Sequence, residues 1–171
     1  MRVAIIVLCV LWQGVIYSFS AENSNISGDR SQGICEQIAE IVLYGDEDAT
    51  EAEITALADR IEPTLRSLAH MFCFAVLGGL YFLVFASFRL VGFKRCALSV
   101  GCTLCYAVLD EVHQYFVPGR STQLSDICVD TLGAVLAVLV LAWQGILGNI
   151  ISAVVYPMQQ LMLLPISLIW G

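Results

Sequence analysis

Charge is what this 171-residue sequence has least of: 13% of its residues are charged, against 58% apolar. A soluble domain carries roughly 25% charged and about 45–50% apolar residues, so a water-facing surface is missing. The mean hydropathy of +0.81 points the same way. Residues 131–171 hold no charge at all. A membrane crossing takes about 20 mostly apolar residues, so this is a polytopic membrane protein. Basic stretches are absent too, and a net charge of −7 excludes nucleic acid as a partner. Cys102-x-x-Cys105 has the spacing of half a zinc knuckle, but no second pair exists. Six of the seven cysteines sit in or beside apolar runs, where cysteine serves as a small packing residue. Only Cys35 lies in a polar, outward segment, where an external thiol reagent is expected to reach it. There is no internal repeat.

The charge that is present is unevenly spread. Residues 21–62 carry eleven carboxylates against Arg30 and Arg60, while the rest of the chain has four acidic and six basic residues. An acidic segment thus interrupts a nearly neutral membrane body. Strong apolar runs cover Val3–Phe19, Ala69–Phe88, Cys96–Leu109 (extending towards Phe116) and Ile127–Trp143. Val3–Phe19 reads equally as a first span or as a leader with a small-residue cleavage site at Ser18-Phe19-Ser20. A fifth stretch, Gly148–Trp170, contains Pro157 and Pro165, which predict a kink; it either crosses or lies in the interface. The fold class is an all-α, polytopic helical bundle of four to five transmembrane helices with a small acidic helical segment outside.

Arg89, Lys94 and Arg95 cluster in a short loop, which places that loop and the amino terminus in the cytoplasm. The acidic segment 21–65 and the 115–123 loop then face outward. Within the insert, Ser31 is expected to cap a helix with an apolar stripe at Ile34, Ile38, Ile41 and Val42, stopping at Gly45. Thr50-x-x-Glu53 reads as a capping box for a second helix ending near Ile61, ahead of Pro63. A solvated acidic loop with incidental helices is the plain alternative.

Chemistry concentrates between Asp110 and Asp126. Ionisable groups at membrane depth are costly unless paired or hydrated, so each is a functional candidate. Asp110, His113 and Gln114 stand at i, i+3 and i+4 on one helical face, with Glu111 one position round. Pro118-Gly119 predicts a turn that returns Arg120 and Asp126 towards that face. Arg66 and His70, four apart, bring a second polar face to the same level, and Asp126 and Asp130 repeat at i, i+4. The simplest arrangement points these faces at each other, so that Arg66 and His70 lie beside Asp110, Glu111 or His113. Ion pairs that merely lock the helices are the alternative for any single residue.

The run Asp110-Glu111-x-His113-Gln114-x-Phe116-Val117-Pro118-Gly119-Arg120, followed by Asp126 and Gly133, resembles the signature of the VanZ-like family of bacterial membrane proteins. Arg66-Ser67-Leu68-Ala69-His70, then Phe74 and Leu77-Gly78, is similar to a second family element, with serine where lysine is common. Trp12, Phe19-Ser20, Ser24, Ser27 and Ser31 resemble the amino-terminal pattern. The resemblance covers roughly residues 10–142 and implies that the first helix belongs to the domain, so a VanZ-like membrane domain over 1–145 is expected, with an extra hydrophobic helix over 146–171. It also implies a cell-envelope role, the founding member conferring low-level resistance to the glycopeptide teicoplanin.

Besides a structural partner of another envelope complex, two functions remain open on these residues. One is a non-enzymatic envelope protein binding an outer-leaflet membrane lipid, a lipid-linked cell-wall precursor or a glycopeptide through Arg66, His70, Asp110, Glu111, His113, Gln114, Arg120 and Asp126. The other is a membrane hydrolase or transferase with Asp110, Glu111, His113 or His70 as acid and base and Arg120 stabilising negative charge. A metal on His70, His113 and a carboxylate is a variant of the second; the expectation is no cofactor and no metal.

Overall fold

In the computed structural model the described residues are 2–22, 24–43, 50–120 and 122–170, with side chains also set aside at 24–27, 154 and 157–170. Five helices follow in order: α1 (Arg2–Ser20), α2 (Ser24–Leu43), α3 (Glu51–Ser87), α4 (Gly92–Tyr115) and α5 (Leu124–Trp170). Among the described residues there is no strand. Four helices are long and apolar enough to cross a membrane: α1, α3, α4 and residues Leu124–Ala153 of α5. Only 11–28% of the residues in their most apolar stretches are buried against the protein. Large side chains such as Phe72, Leu109 and Leu139 stand exposed, an arrangement that lipid tolerates and water does not.

Residues Met1–Val138 form one compact unit and Leu139–Gly171 a second. The first holds the core. Cys9, Ile16, Phe74, Leu77, Leu80 and Ala107 pack between α1, α3 and α4. Two hydrogen bonds tie the middle of these helices: Trp12 Nε1 donates to the Cys73 carbonyl at 2.9 Å, and the Tyr106 hydroxyl to the Gln13 carbonyl at 2.7 Å. The second unit is helical over its described backbone. It runs through the stretch expected to hold an extra C-terminal helix; the side chains of Pro157 and Pro165 lie outside the described residues.

A seam of small residues joins α3 to the first turns of α5. A Cβ placed on Gly78 would stand 2.8 Å from the Ala134 Cβ, and one on Gly133 would run into the Met71 carbonyl oxygen. Small residues let helix backbones approach this closely, the usual device where no hydrophobic effect drives helices together.

The insert departs from expectation in three ways. The capping box forms as predicted, Thr50 and Glu53 exchanging side-chain and backbone bonds. The helix it opens does not stop before Pro63, however, but continues as α3 to Ser87. One lost backbone bond costs about 3 kcal/mol, and packing of Ile54, Leu57, Ile61 and Leu65 around Cys35, Ala39 and Ala58 offsets it. Second, α2 begins at Ser24, so Ser31 caps nothing; its hydroxyl donates to the Gly28 carbonyl and to Glu62 at 2.7 Å. Third, the face of α2 that packs on α3 is Cys35 and Ala39, while Ile34, Ile41 and Val42 stay exposed. Small side chains permit the close approach that the larger isoleucines would block. The expected stop at Gly45 lies outside the described residues.

Candidate functional site

At the end of the bundle where α1 and α4 finish and α5 begins, the apolar interior gives way to polar groups. Asp110 is 5% exposed yet well satisfied. The Ser20 hydroxyl donates to its Oδ1 at 2.5 Å and the Gln114 amide to its Oδ2 at 2.8 Å. Gln114 also reaches Ser20 Oγ at 3.3 Å. Burying a carboxylate without such partners would cost several kcal/mol; here it fastens α1 to α4. Glu111, 6% exposed, accepts the Gln123 backbone N–H at 3.0 Å and so pins the chain just before α5.

The turn between α4 and α5 uses Gly119 at φ 79°, a conformation glycine adopts without penalty. It returns Arg120 to the bundle, where Nε donates to the Glu22 carbonyl at 3.3 Å and Nη2 to the Phe19 carbonyl at 3.1 Å. These carbonyls belong to the end of α1 and the residues after it, so a cation there meets the negative pole of a helix.

On α3, Glu62, Arg66 and His70 recur every four residues and share one face with Ser67. Across from them, α5 presents Asp126, Val129 and Asp130. Between the two faces lies a polar cavity of about 260 Å³, closed at one side by Gln114, Arg120 and Gln123. Asp130 is 1% exposed; its Oδ1 lies 3.9 Å from His70 Nδ1 and has no hydrogen-bond partner among the described residues. Asp126 sits in the first turn of α5, where the helix dipole favours a carboxylate. Arg66, half-buried on the cavity wall, makes no side-chain hydrogen bond or ion pair among the described residues.

A second cavity, of about 340 Å³, is apolar for most of its wall, with Ile16, Phe19, Ile34, Leu65 and Phe74 among its lining. Arg66, His70 and Arg120 line both cavities. The α2 side is closed by polar clasps: Arg30 pairs with Glu22 at 2.9 Å, and Gln32 donates to Asp59 at 2.9 Å.

Of the sequence-predicted residues, Arg66, His70, Gln114, Arg120 and Asp126 come together around the polar cavity. Asp110, Glu111 and His113 do not line it. The carboxylate in contact with His70 is Asp130, while Asp110 stands further off, close enough to act on His70 electrostatically. The reason is angular. Asp110 and Gln114 turn towards α1, and Glu111, one position round, turns to the α5 entry. His113 faces α1 instead, its ring 4.6 Å from that of Tyr17. Glu111 and His113 therefore line neither of these two cavities. Sequence reasoning undervalued Asp130, although its i, i+4 repeat with Asp126 was visible, and missed Gln123, Ser67 and Glu62. Among the described residues no cluster of three His, Cys, Asp or Glu could hold a metal ion.

No curated protein and no solved structure matches the chain. The sequence model of the VanZ/LLP1 family does match, over residues 5–151, which takes in every helix of the site. This membrane protein therefore belongs to the VanZ/LLP1 family.

Proposed function

We propose that this VanZ/LLP1 protein binds a phosphate-bearing amphiphile of the cell envelope without transforming it. One observation carries the reading: Arg66, His70 and Arg120 form the wall common to a polar cavity and an apolar one. Guanidinium groups are suited to phosphate because their N–H donors match its oxygens in pairs. An acyl or prenyl chain would lie along Ile16, Phe19, Leu65 and Phe74, and its phosphate would sit between the arginines. A membrane lipid and a lipid-linked cell-wall precursor both have this make-up. In the family context, occupancy of such a site blunts a lipidated glycopeptide of the teicoplanin type.

Native mass spectrometry of the detergent-extracted protein tests the reading. The wild type should carry an adduct of phospholipid or lipid-phosphate mass, and Arg66→Ala should carry at least five-fold less. An adduct-free wild type, or equal retention by the variant, would sink it.

The sidedness belongs to the same proposal: the Arg89, Lys94 and Arg95 loop faces the cytoplasm and the two cavities open on the outer side. Cys35 is a poor reporter of this, contrary to expectation. It is fully buried, and burial, with Glu62 adding, pushes its thiol pKa up, which suppresses the reactive thiolate. Gly92, at φ 59°, would be strained by any side chain. Thr122→Cys and Val91→Cys, each in a background without native cysteines, are better placed. On intact cells an impermeant maleimide should label the first and spare the second; the reverse would invert the orientation.

A further inference from the structure

The two ends of the polar cavity carry opposite charge, and this says what kind of headgroup fits. Arg66, His70 and Arg120 stand on the wall shared with the apolar cavity, whereas Asp126 and Asp130 line the polar cavity alone. Glu22, on the apolar side, is committed to Arg30; Glu62, which also lines the polar cavity one turn from Arg66, accepts the Ser31 hydroxyl. Among the described residues, Asp126 and Asp130 have no such engagement across the helices beyond the His70 contact. Asp130 is 1% exposed and its Oδ1 lacks a hydrogen-bond donor among the described residues. A buried carboxylate in that condition is an open acceptor. A purely anionic headgroup would satisfy the arginines and leave both aspartates uncompensated.

Resting on the amphiphile reading, we propose that the ligand carries a primary amine beyond its phosphate, as a phosphoethanolamine headgroup does, and that Asp126 and Asp130 receive the ammonium. The order of groups along such a lipid, chain then phosphate then amine, repeats the order of apolar cavity, arginines and aspartates. Size agrees. A cavity of about 260 Å³ has room for roughly nine water-sized groups at about 30 Å³ each, and phosphoethanolamine has about eight non-hydrogen atoms. The lining also speaks for a primary amine over a quaternary one. Quaternary ammonium is recognised by aromatic faces, and no Phe, Tyr or Trp lines this cavity. An –NH₃⁺ group instead offers three donors to two carboxylates and the Gln123 side chain.

The test is competitive retention. Full-length protein is reconstituted in nanodiscs of phosphatidylethanolamine, phosphatidylglycerol and phosphatidylcholine in equal amounts with identical acyl chains, then re-extracted, and its bound lipid is counted by native mass spectrometry. Phosphatidylethanolamine should exceed each of the others at least five-fold on the wild type. Asp126→Asn should bring the three to within two-fold of one another, and Arg66→Ala should lower all three together. Asp126 is half-buried at the start of α5, so this variant stays informative if Asp130→Asn fails to fold. If phosphatidylglycerol or phosphatidylcholine is retained as well as phosphatidylethanolamine and all are lost in Arg66→Ala, the amine assignment is overturned and the phosphate reading stands. If the wild type retains no lipid, or Arg66→Ala retains as much as the wild type, both are overturned.

Discussion

The two ends of the bundle handle their arginines in opposite ways. At one end Arg66 and Arg120 share a cavity of about 260 Å³ with Asp126, Asp130 and His70. At the other, Arg95 lies 3.8 Å over the Phe82 ring and Arg2 5.9 Å over that of Phe88. The sequence has no carboxylate between Glu62 and Asp110, so aromatic faces are what the second end offers. The Arg95 Nε is buried without a hydrogen-bond partner among the described residues. A cation seated on a ring is an anchor, filled by its own neighbours. Arg66, beside carboxylates and empty volume and with no hydrogen bond or ion pair among the described residues, is what a receptor needs on the proposed reading.

The largest expected effect breaks the receptor end. His70→Leu leaves the buried Asp130 with no polar side chain in contact among the described residues, a loss of about 3 kcal/mol at the upper end for a buried polar group left alone. His70→Leu with Asp130→Leu should recover much of it, because neither polar group is then left buried without the other. Thermal melting in detergent reads the cycle; if the double variant is as weak as the sum of the singles, the two residues are not a pair.

Asp110→Ala comes next, at about 2 kcal/mol, because it strands the Ser20 hydroxyl and the Gln114 amide. The folded fraction should still retain lipid, since Asp110 supports the cavity without lining it. The same melting and native-mass measurements separate these two consequences.

The comparison itself is sharpened by matched arginine deletions. Arg95→Leu should cost about 1 kcal/mol, the worth of a cation–π contact, and leave lipid retention unchanged. Arg66→Leu should do the converse, melting like the wild type while losing the adduct. Identical behaviour of the two variants would erase the distinction between anchor and receptor. Smallest is Thr50→Ala, which removes a helix cap outside both ends. It should lower the melting temperature slightly, by an amount set by about 1 kcal/mol or less, and leave lipid retention and topology untouched.

The four spans were legible because long, mostly apolar runs admit few other structures, and Arg66, His70 and Asp126 were legible because charge at that depth needs a reason. Pro63 was misread as a stop. Local sequence signals the missing N–H but not the packing of α2 that offsets it. Cys35 and Ala39 were passed over for the isoleucine stripe, since periodicity ranks hydrophobicity and close helix contact ranks smallness. His113 was placed in the site because i, i+3 neighbours share a face, yet that face is wide enough for Asp110 and Gln114 to meet Ser20 while His113 meets Tyr17. Gln123 and Glu62 lie on elements whose paths only the tertiary fold determines.

The glycine seam between α3 and α5 has a consequence for selectivity. Gly133 meets the Met71 carbonyl one residue after His70, and the same stretch of α5 carries Asp130 three residues earlier. The seam therefore acts as a spacer gauge: it fixes how far the arginine-bearing helix stands from the aspartate-bearing one before any ligand arrives. Rigid jaws lose little freedom on closing around a guest, which favours tight binding. On the proposed reading they also resist a bulkier one, and the calibre of the headgroup then follows from Gly78 and Gly133, which line neither cavity.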